Sequence, residues 1–118
     1  MYINTYIIAV PEDKKEEYVR KAAMFGEIAI DYGALEIFEN WELEVPDGTV
    51  TDYRRAVNAE PGERIVVSWT IWPDRETGAR AHKKMFEDPR MESIGQMPID
   101  AKRMILGGFE PIYSYQKS

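Results

Sequence analysis

The apolar residues of this chain change their spacing from period two to spacings of three and four and back, and then do so a second time. Period two belongs to a strand and the longer spacing to a helix, so the chain is committed to a mixed α and β fold. Residues 2–10 (YINTYIIAV) are β-branched and aromatic, too short for a helix and stopped by Pro11, which predicts a first strand. Beyond it Tyr18, Ala22, Phe25, Ala29 and Tyr32 form one helical stripe, which Val19, Ala23 and Ile30 widen. Pro11 suits the first turn of that helix, Glu12 and Asp13 complement its dipole, and Gly33 ends it.

Residues 34–43 return to period two, with Leu35, Ile37, Trp41 and Leu43 on one face and Glu36, Phe38, Asn40 and Glu42 on the other. Glu39 falls among the apolar set, which requires either a bulge or a carboxylate that faces inward. Residues 44–62 keep no period, carry Pro46-Asp47-Gly48 and Pro61-Gly62, and form a connection long enough to be functional. Within it Asp52 is placed to cap one helical turn ending at Val57. In the third strand, 63–72, Ile65, Val67, Trp69 and Ile71 make an apolar face expected to be core, while Val66, Ser68, Thr70 and Trp72 make a mixed one. Asp74 caps a second helix that Asp88-Pro89 breaks, its inner stripe being Gly78, Ala81, His82, Met85 and Phe86. Residues 92–102 are a polar connection, and 103–115 are expected to be a fourth strand holding Gly107-Gly108.

Strand, helix, strand, strand, helix, strand is the ferredoxin-like βαββαβ order of an α+β fold: a four-stranded antiparallel sheet with two helices on one face, here one domain over 1–118. The helices cover one face only. The mixed face, with Asn40, Ser68, Thr70 and Trp72, is expected to be covered by a second subunit packing sheet on sheet, making a homodimer.

Composition removes several function classes. With 15 basic against 21 acidic residues the net charge is −6, the wrong sign for a phosphate-backbone binder, so no nucleic-acid partner is expected. Cysteine is absent and histidine occurs once, which leaves no disulfide framework and no nitrogen–sulfur zinc site. No glycine precedes a lysine, and neither GxGxxG, G-x-S-x-G, D-x-D nor H-E-x-x-H occurs, so no metal and no cofactor is expected. No window approaches the roughly 20 apolar residues of a membrane span. The run Ile3–Val10 lacks the basic start and cleavage site of a secretory signal, and a cytoplasmic protein is expected.

The stretch from Val45-Pro46-Asp47-Gly48 through Thr51-Asp52-Tyr53 to Ala56-Val57 resembles a motif of the YbaA-like family. So do Val67-Ser68-Trp69, Asp88-Pro89-Arg90-Met91 and, most specifically, Met97-Pro98-Ile99-Asp100-Ala101-Lys102-Arg103-Met104 followed by Gly107-Gly108-Phe109. Ile99 departs from the pattern, where an aromatic is expected. The resemblance spans nearly the whole chain and implies a dimeric α+β barrel. That group includes cofactor-free oxygenases, isomerases, haem-handling enzymes and stress proteins, so it implies no single activity.

Site candidates come from residue type and position. Asp100, Lys102 and Arg103 precede the glycine pair and suit a clamp for a small anionic or aromatic metabolite. In a strand Lys102 and Arg103 point to opposite faces, so one of them enters a pocket. Arg103 inward needs a carboxylate, Asp52 or Asp100, and Trp72 offers a stacking ring; the same pair also suits a strut pinning the long loop. Asp52 is otherwise a helix cap. His82 is a candidate acid–base group or a half-buried side chain with one hydrogen bond, and a serine triad would have to join it to Ser68 or Ser93. The expected function is a cofactor-independent small-molecule enzyme or binder with a pocket between sheet and long loop. The alternative is a non-catalytic dimeric structural or interaction protein.

Overall fold

The computed structural model describes residues 1–118. In chain order it holds β1 (Tyr2–Pro11), a 3-10 turn (Glu12–Lys14), α1 (Lys15–Asp31), β2 (Glu36–Trp41), α2 (Tyr53–Ala56), β3 (Glu63–Trp72), α3 (Arg75–Glu87), α4 (Arg90–Ile94), a second 3-10 turn (Ala101–Arg103) and β4 (Ile105–Phe109). The strands lie in the order β2-β3-β1-β4 and every neighbouring pair is antiparallel. This is the ferredoxin-like α+β frame that the changes of apolar period predict. No helix is long and apolar enough to cross a membrane.

The element boundaries differ where polar side chains intervene. Pro11 is extended (ψ 133°) and closes β1, so the main helix begins at Lys15 after a 3-10 turn. At its far end Gly33 adopts φ +113°, a conformation that ordinary L-residues resist. The expected fourth strand over 103–115 shrinks to Ile105–Phe109, because β4 has only Ile3–Ile7 of β1 to pair with. Ahead of it, the Asp100 carboxylate accepts the Lys102 backbone N–H at 3.1 Å and starts a 3-10 turn that holds Lys102 and Arg103. These cations therefore lie outside the ladder, and the opposite-face rule does not govern them. Within the connection expected over 92–102, α4 supplies buried Ile94 to the core.

The largest correction concerns the faces of the sheet. Cross-strand partners share a face, and the register pairs Tyr2, Asn4, Tyr6 and Ile8 with Trp72, Thr70, Ser68 and Val66. These residues lie under the helices; Trp72 is only 1 % exposed and packs with Ile28, Ala29, Ala81 and Met85. The all-apolar set Ile65, Val67, Trp69 and Ile71 faces the other way, beside Ile3, Thr5, Ile7 and Ala9. Phe38, Ile105 and Phe109 join that open face, and Phe109 is 57 % exposed. Of the mixed set, Ser68, Thr70 and Trp72 go inward, where polar groups find partners: the Trp72 indole N–H donates to Asn4 Oδ1 at 2.8 Å, and Ser68 Oγ donates to Glu39 Oε2 at 2.9 Å. A paired polar group is buried at little cost. Asn40, opposite Val67 and donating to its carbonyl at 2.9 Å, stands on the open face instead. Two helical expectations are corrected likewise: Phe86 on α3 and Val19 and Ile30 on α1 are exposed rather than inward.

The long connection is knit rather than slack. Asp52 caps α2, accepting from the backbone N–H of Arg55 at 2.8 Å and of Gly48 at 3.1 Å, while Arg54 donates to Glu42 at 2.9 Å. Val57 and Ala59 then close one end of the open face, packing against Ala9 and Ile65. The contact is closed, Val57 being 1 % and Ile65 2 % exposed, and it occupies the place where a pocket between sheet and loop was expected.

Candidate functional site

An apolar cavity lies on the opposite side of the sheet, between its inner face and α1. The register sets Glu39 of β2, Ser68 of β3 and Tyr6 of β1 in one row across three strands. Strands are roughly 4.8 Å apart in that direction, so the three side chains stand side by side. Tyr18, one turn into α1, crosses above them because it leads the helix's inward stripe. Its hydroxyl donates to Glu39 Oε1 at 2.5 Å, and Ser68 Oγ donates to Oε2 at 2.9 Å. β2 therefore carries no bulge at this point: the carboxylate lies on the helix side of the sheet, while the residue stays exposed at the sheet edge. Around this row is a cavity of about 220 Å³, lined further by Ile8, Ala22, Phe25, Ile37 and Thr70, and closed by Met97, Ile99 and Met104.

The electrostatics favour neutral phenols around one carboxylate. Burial, and after it the charge of Glu39, pushes the Tyr18 phenol well above its ordinary value. Tyr6 moves the same way, again chiefly from burial and then from Glu39. Both rings thus keep their protons at neutral pH and remain hydrogen-bond donors. Glu39 sits on an edge strand at the mouth of the cavity, and a carboxylate has about four lone-pair sites. Two are used by Tyr18 and Ser68, so the group retains capacity for a ligand's donor.

The residues singled out from sequence are placed as follows. Arg103 makes a two-pronged pair with Glu63 at 2.8 Å for each oxygen, donates to Asp100 Oδ2 at 3.0 Å, and reaches the Asn58 carbonyl at 2.9 Å. It ties the long loop and the start of β3 to the segment that closes the cavity. Lys102 is exposed. Asp52 is engaged with Gly48 and Arg55 rather than with Arg103. Trp72 ends β3 while Glu63, the partner of Arg103, begins it, so the ring and the guanidinium lie at opposite ends of the strand and do not stack. His82 contacts the Gly78 carbonyl through Nδ1 at 2.8 Å, its ring 5.6 Å from that of Trp72. With the Ser68 hydroxyl directed to Glu39, the two form no triad. The structure brings together Tyr6, Tyr18, Glu39 and Ser68, of which the sequence singles out the misplaced acid in β2 and, for a different role beside His82, Ser68.

The Arg103 knot has its own expected signature. Arg103→Met leaves Glu63, 8 % exposed, without its main counter-charge, at a cost of about 2 kcal/mol. The paired guanidinium holds the Glu63 carboxyl below the usual range. A depressed folded-state pKa contributes stability above the unfolded value, roughly pH 4.3, that is lost as pH falls through the folded one. The gap between parent and variant is therefore full at pH 7 and narrows below about pH 4. Thermal melts at pH 7 and pH 3 check this; a gap that persists at pH 3 would refute it.

Comparison with known proteins follows the same lines. Residues 1–101 match the family model described as "Protein of unknown function (DUF1428)". The chain is 48% identical over 112 residues to proteins named "Uncharacterized protein YbaA" from Escherichia coli (strain K12) and Shigella flexneri, covering 94% of this chain and 96% of each of those. Among solved structures it resembles an uncharacterized NIPSNAP domain protein from Burkholderia xenovorans, with TM-score 0.59 and 13% identity, covering 99% of this chain and 100% of that one. It also resembles SnoaB, a cofactor-independent oxygenase from Streptomyces nogalater, with TM-score 0.54 and 14% identity, covering 98% and 97%. A third neighbour, described as a dimeric ferredoxin-like protein of unknown function from Jannaschia sp., has TM-score 0.51 and 13% identity, covering 94% and 100%. At these identities the structural likeness is one of fold.

Proposed function

We propose, for a chain that belongs to the DUF1428 family of proteins of unknown function, a cofactor-independent role in binding or converting a small, mostly apolar molecule bearing an acidic hydroxyl or an enolisable C–H. One observation carries this reading: the Glu39 carboxylate, held by the Tyr18 and Ser68 hydroxyls, opens onto a mostly apolar cavity of about 220 Å³. That volume suits one or two fused rings. A ligand hydroxyl donates to a free lone pair of Glu39, and in a turnover the same oxygen takes the proton. The neutral phenol of Tyr6, which lines the cavity, supplies a donor to the anion left behind, the Tyr18 proton being committed to Glu39. Arg103, Asp100 and Glu63 act in this reading as positioning residues, because they anchor the segment carrying Met97, Ile99 and Met104. The fold shared with a cofactor-independent oxygenase is compatible with the reading at the level of scaffold only.

The working unit in this proposal is a homodimer. Ile71, Trp69 and Val67 with Ile3, Thr5 and Ile7 leave a broad apolar face that neither helix covers, and neighbours of the same fold are described as dimeric. A purely structural dimer is favoured by that face alone, and Glu39 distinguishes the two roles. In titration calorimetry with 2-methylphenol and 1-naphthol, Glu39→Gln is expected to weaken binding about 10- to 100-fold, the worth of a hydrogen bond to a charged group. The amide retains the shape, its oxygen accepting from Tyr18 and its NH2 donating to Ser68 Oγ, which reverses that hydrogen bond. Equal binding by parent and variant, or none by the parent, would sink the proposal.

A further inference from the structure

Three of the residues lining the cavity, Ala22, Ile37 and Glu39, also line a groove on the outer side of α1. The groove runs between α1 and the edge strand β2 and is open to solvent, with a volume of about 710 Å³. Its helix side is built from small residues on successive turns, Ala22, Ala23 and Gly26, with Val19 and Ile30 beside them. Val19 is 55 % and Ile30 48 % exposed, so the apolar stripe of α1 continues well past the part that the sheet covers. Cavity and groove thus meet at the carboxylate, which stands at the mouth of one and on the wall of the other.

The charges along the groove select among possible occupants. Glu27, Asp31 and Glu39 line it against Arg90 alone, and Arg90 is already paired with Asp31 at 2.7 Å and with Asp88 at 3.0 Å. An anionic chain end finds no unpaired cation here, which disfavours a fatty acid. A neutral hydrocarbon chain meets the apolar part of the lining, Val19, Ala22, Ala23, Ile30 and Ile37, whose cover from water is favourable.

Resting on the cavity reading above, we infer that the natural ligand carries an uncharged aliphatic chain beside its acidic hydroxyl, the ring entering the cavity and the chain lying in the α1–β2 groove. The eight-residue rise from Ala22 to Ile30 is about 12 Å at the usual helical rise, enough for a chain of about eight to ten carbons.

The test is a homologous series, 2-methylphenol to 2-nonylphenol, in which hydroxyl and chain leave the ring side by side. Calorimetry on the parent is expected to show affinity rising about twofold per methylene, roughly half of what full burial gives, and levelling near the eighth carbon. Ala23→Trp, which fills the groove from an exposed helix position, is expected to flatten that slope beyond the second or third carbon. A chain-length-independent series in the parent, with 2-methylphenol binding and Glu39→Gln weakening it, overturns the groove and leaves the cavity standing. An unaltered slope in Ala23→Trp overturns the groove as well. Failure of every member to bind overturns both, and the absence of a Glu39→Gln effect on 2-methylphenol is the failure of the cavity reading.

Discussion

Trp72→Ala is expected to lower the stability of the fold by about 3–5 kcal/mol, the usual range for deleting a large buried aromatic side chain. The ring is enclosed between the sheet and both long helices, against Ile28 and Ala29 from α1 and Ala81 and Met85 from α3. It approaches α3 so closely that a Cβ placed on Gly78 would stand 3.2 Å from two of its ring atoms. Trp72→Phe separates packing from polarity: most of the volume stays, but Asn4 Oδ1 loses the indole N–H at 2.8 Å. A buried acceptor without a donor costs about 1–3 kcal/mol. Urea unfolding followed by far-ultraviolet circular dichroism gives both numbers. If Trp72→Ala instead left stability within 1 kcal/mol of the parent's and weakened self-association, as loss of an interface residue does, the ring would belong to the outer face.

The open face calls for the converse substitution. Thr5 stands in its middle, paired across β1 with Trp69 on one side and Gly107 on the other. In a lone subunit Thr5→Lys meets water and is expected to change stability little. Between two apposed sheets the same ammonium is stranded among Ile3, Ile7 and Trp69. An unpaired charge there costs several kcal/mol, which is a thousandfold or more in dimer affinity. Light scattering at micromolar concentration is expected to show a dimer for the parent and a folded monomer for the variant. A parent that runs as a monomer, or a variant that stays dimeric, contradicts sheet-on-sheet association.

Both results turn on a face that the sequence presents ambiguously. The element order is legible because each change of apolar period is long enough to count: Tyr18, Ala22, Phe25, Ala29 and Tyr32 admit only a helix. Which face of β3 meets that helix is not legible. The usual rule sends the more apolar side inward, yet here Ile65, Val67, Trp69 and Ile71 turn away from the helices. Ser68 goes inward because its partner is Glu39, 29 positions earlier, and Trp72 because its partner is Asn4, 68 positions earlier. No local pattern encodes those distances. The candidate site has the same history. Glu39 announces itself as an acid out of place in β2, whereas Tyr18 and Ser68 look like ordinary members of their stripes until the fold joins them. The Asp100-Ala101-Lys102-Arg103 group misleads in the other direction. Its charges suggest a ligand, yet Arg103 is engaged by Glu63, Asn58 and Asp100 within the chain itself and Lys102 lies exposed.

The strand order also decides when during synthesis the protein becomes safe. β1 occupies the centre of the sheet, and both of its neighbours, β3 and β4, lie far downstream of it. A nascent chain that has emerged only as far as β2 therefore has no partner for its first strand, and the row Ile3, Ile7, Ile8 and Val10 must wait for β3. Loop closure over such separations slows folding, and an unpaired apolar strand is the element most prone to associate with the wrong neighbour in the interval. Premature termination anywhere before Glu63 yields a fragment with no native sheet to form.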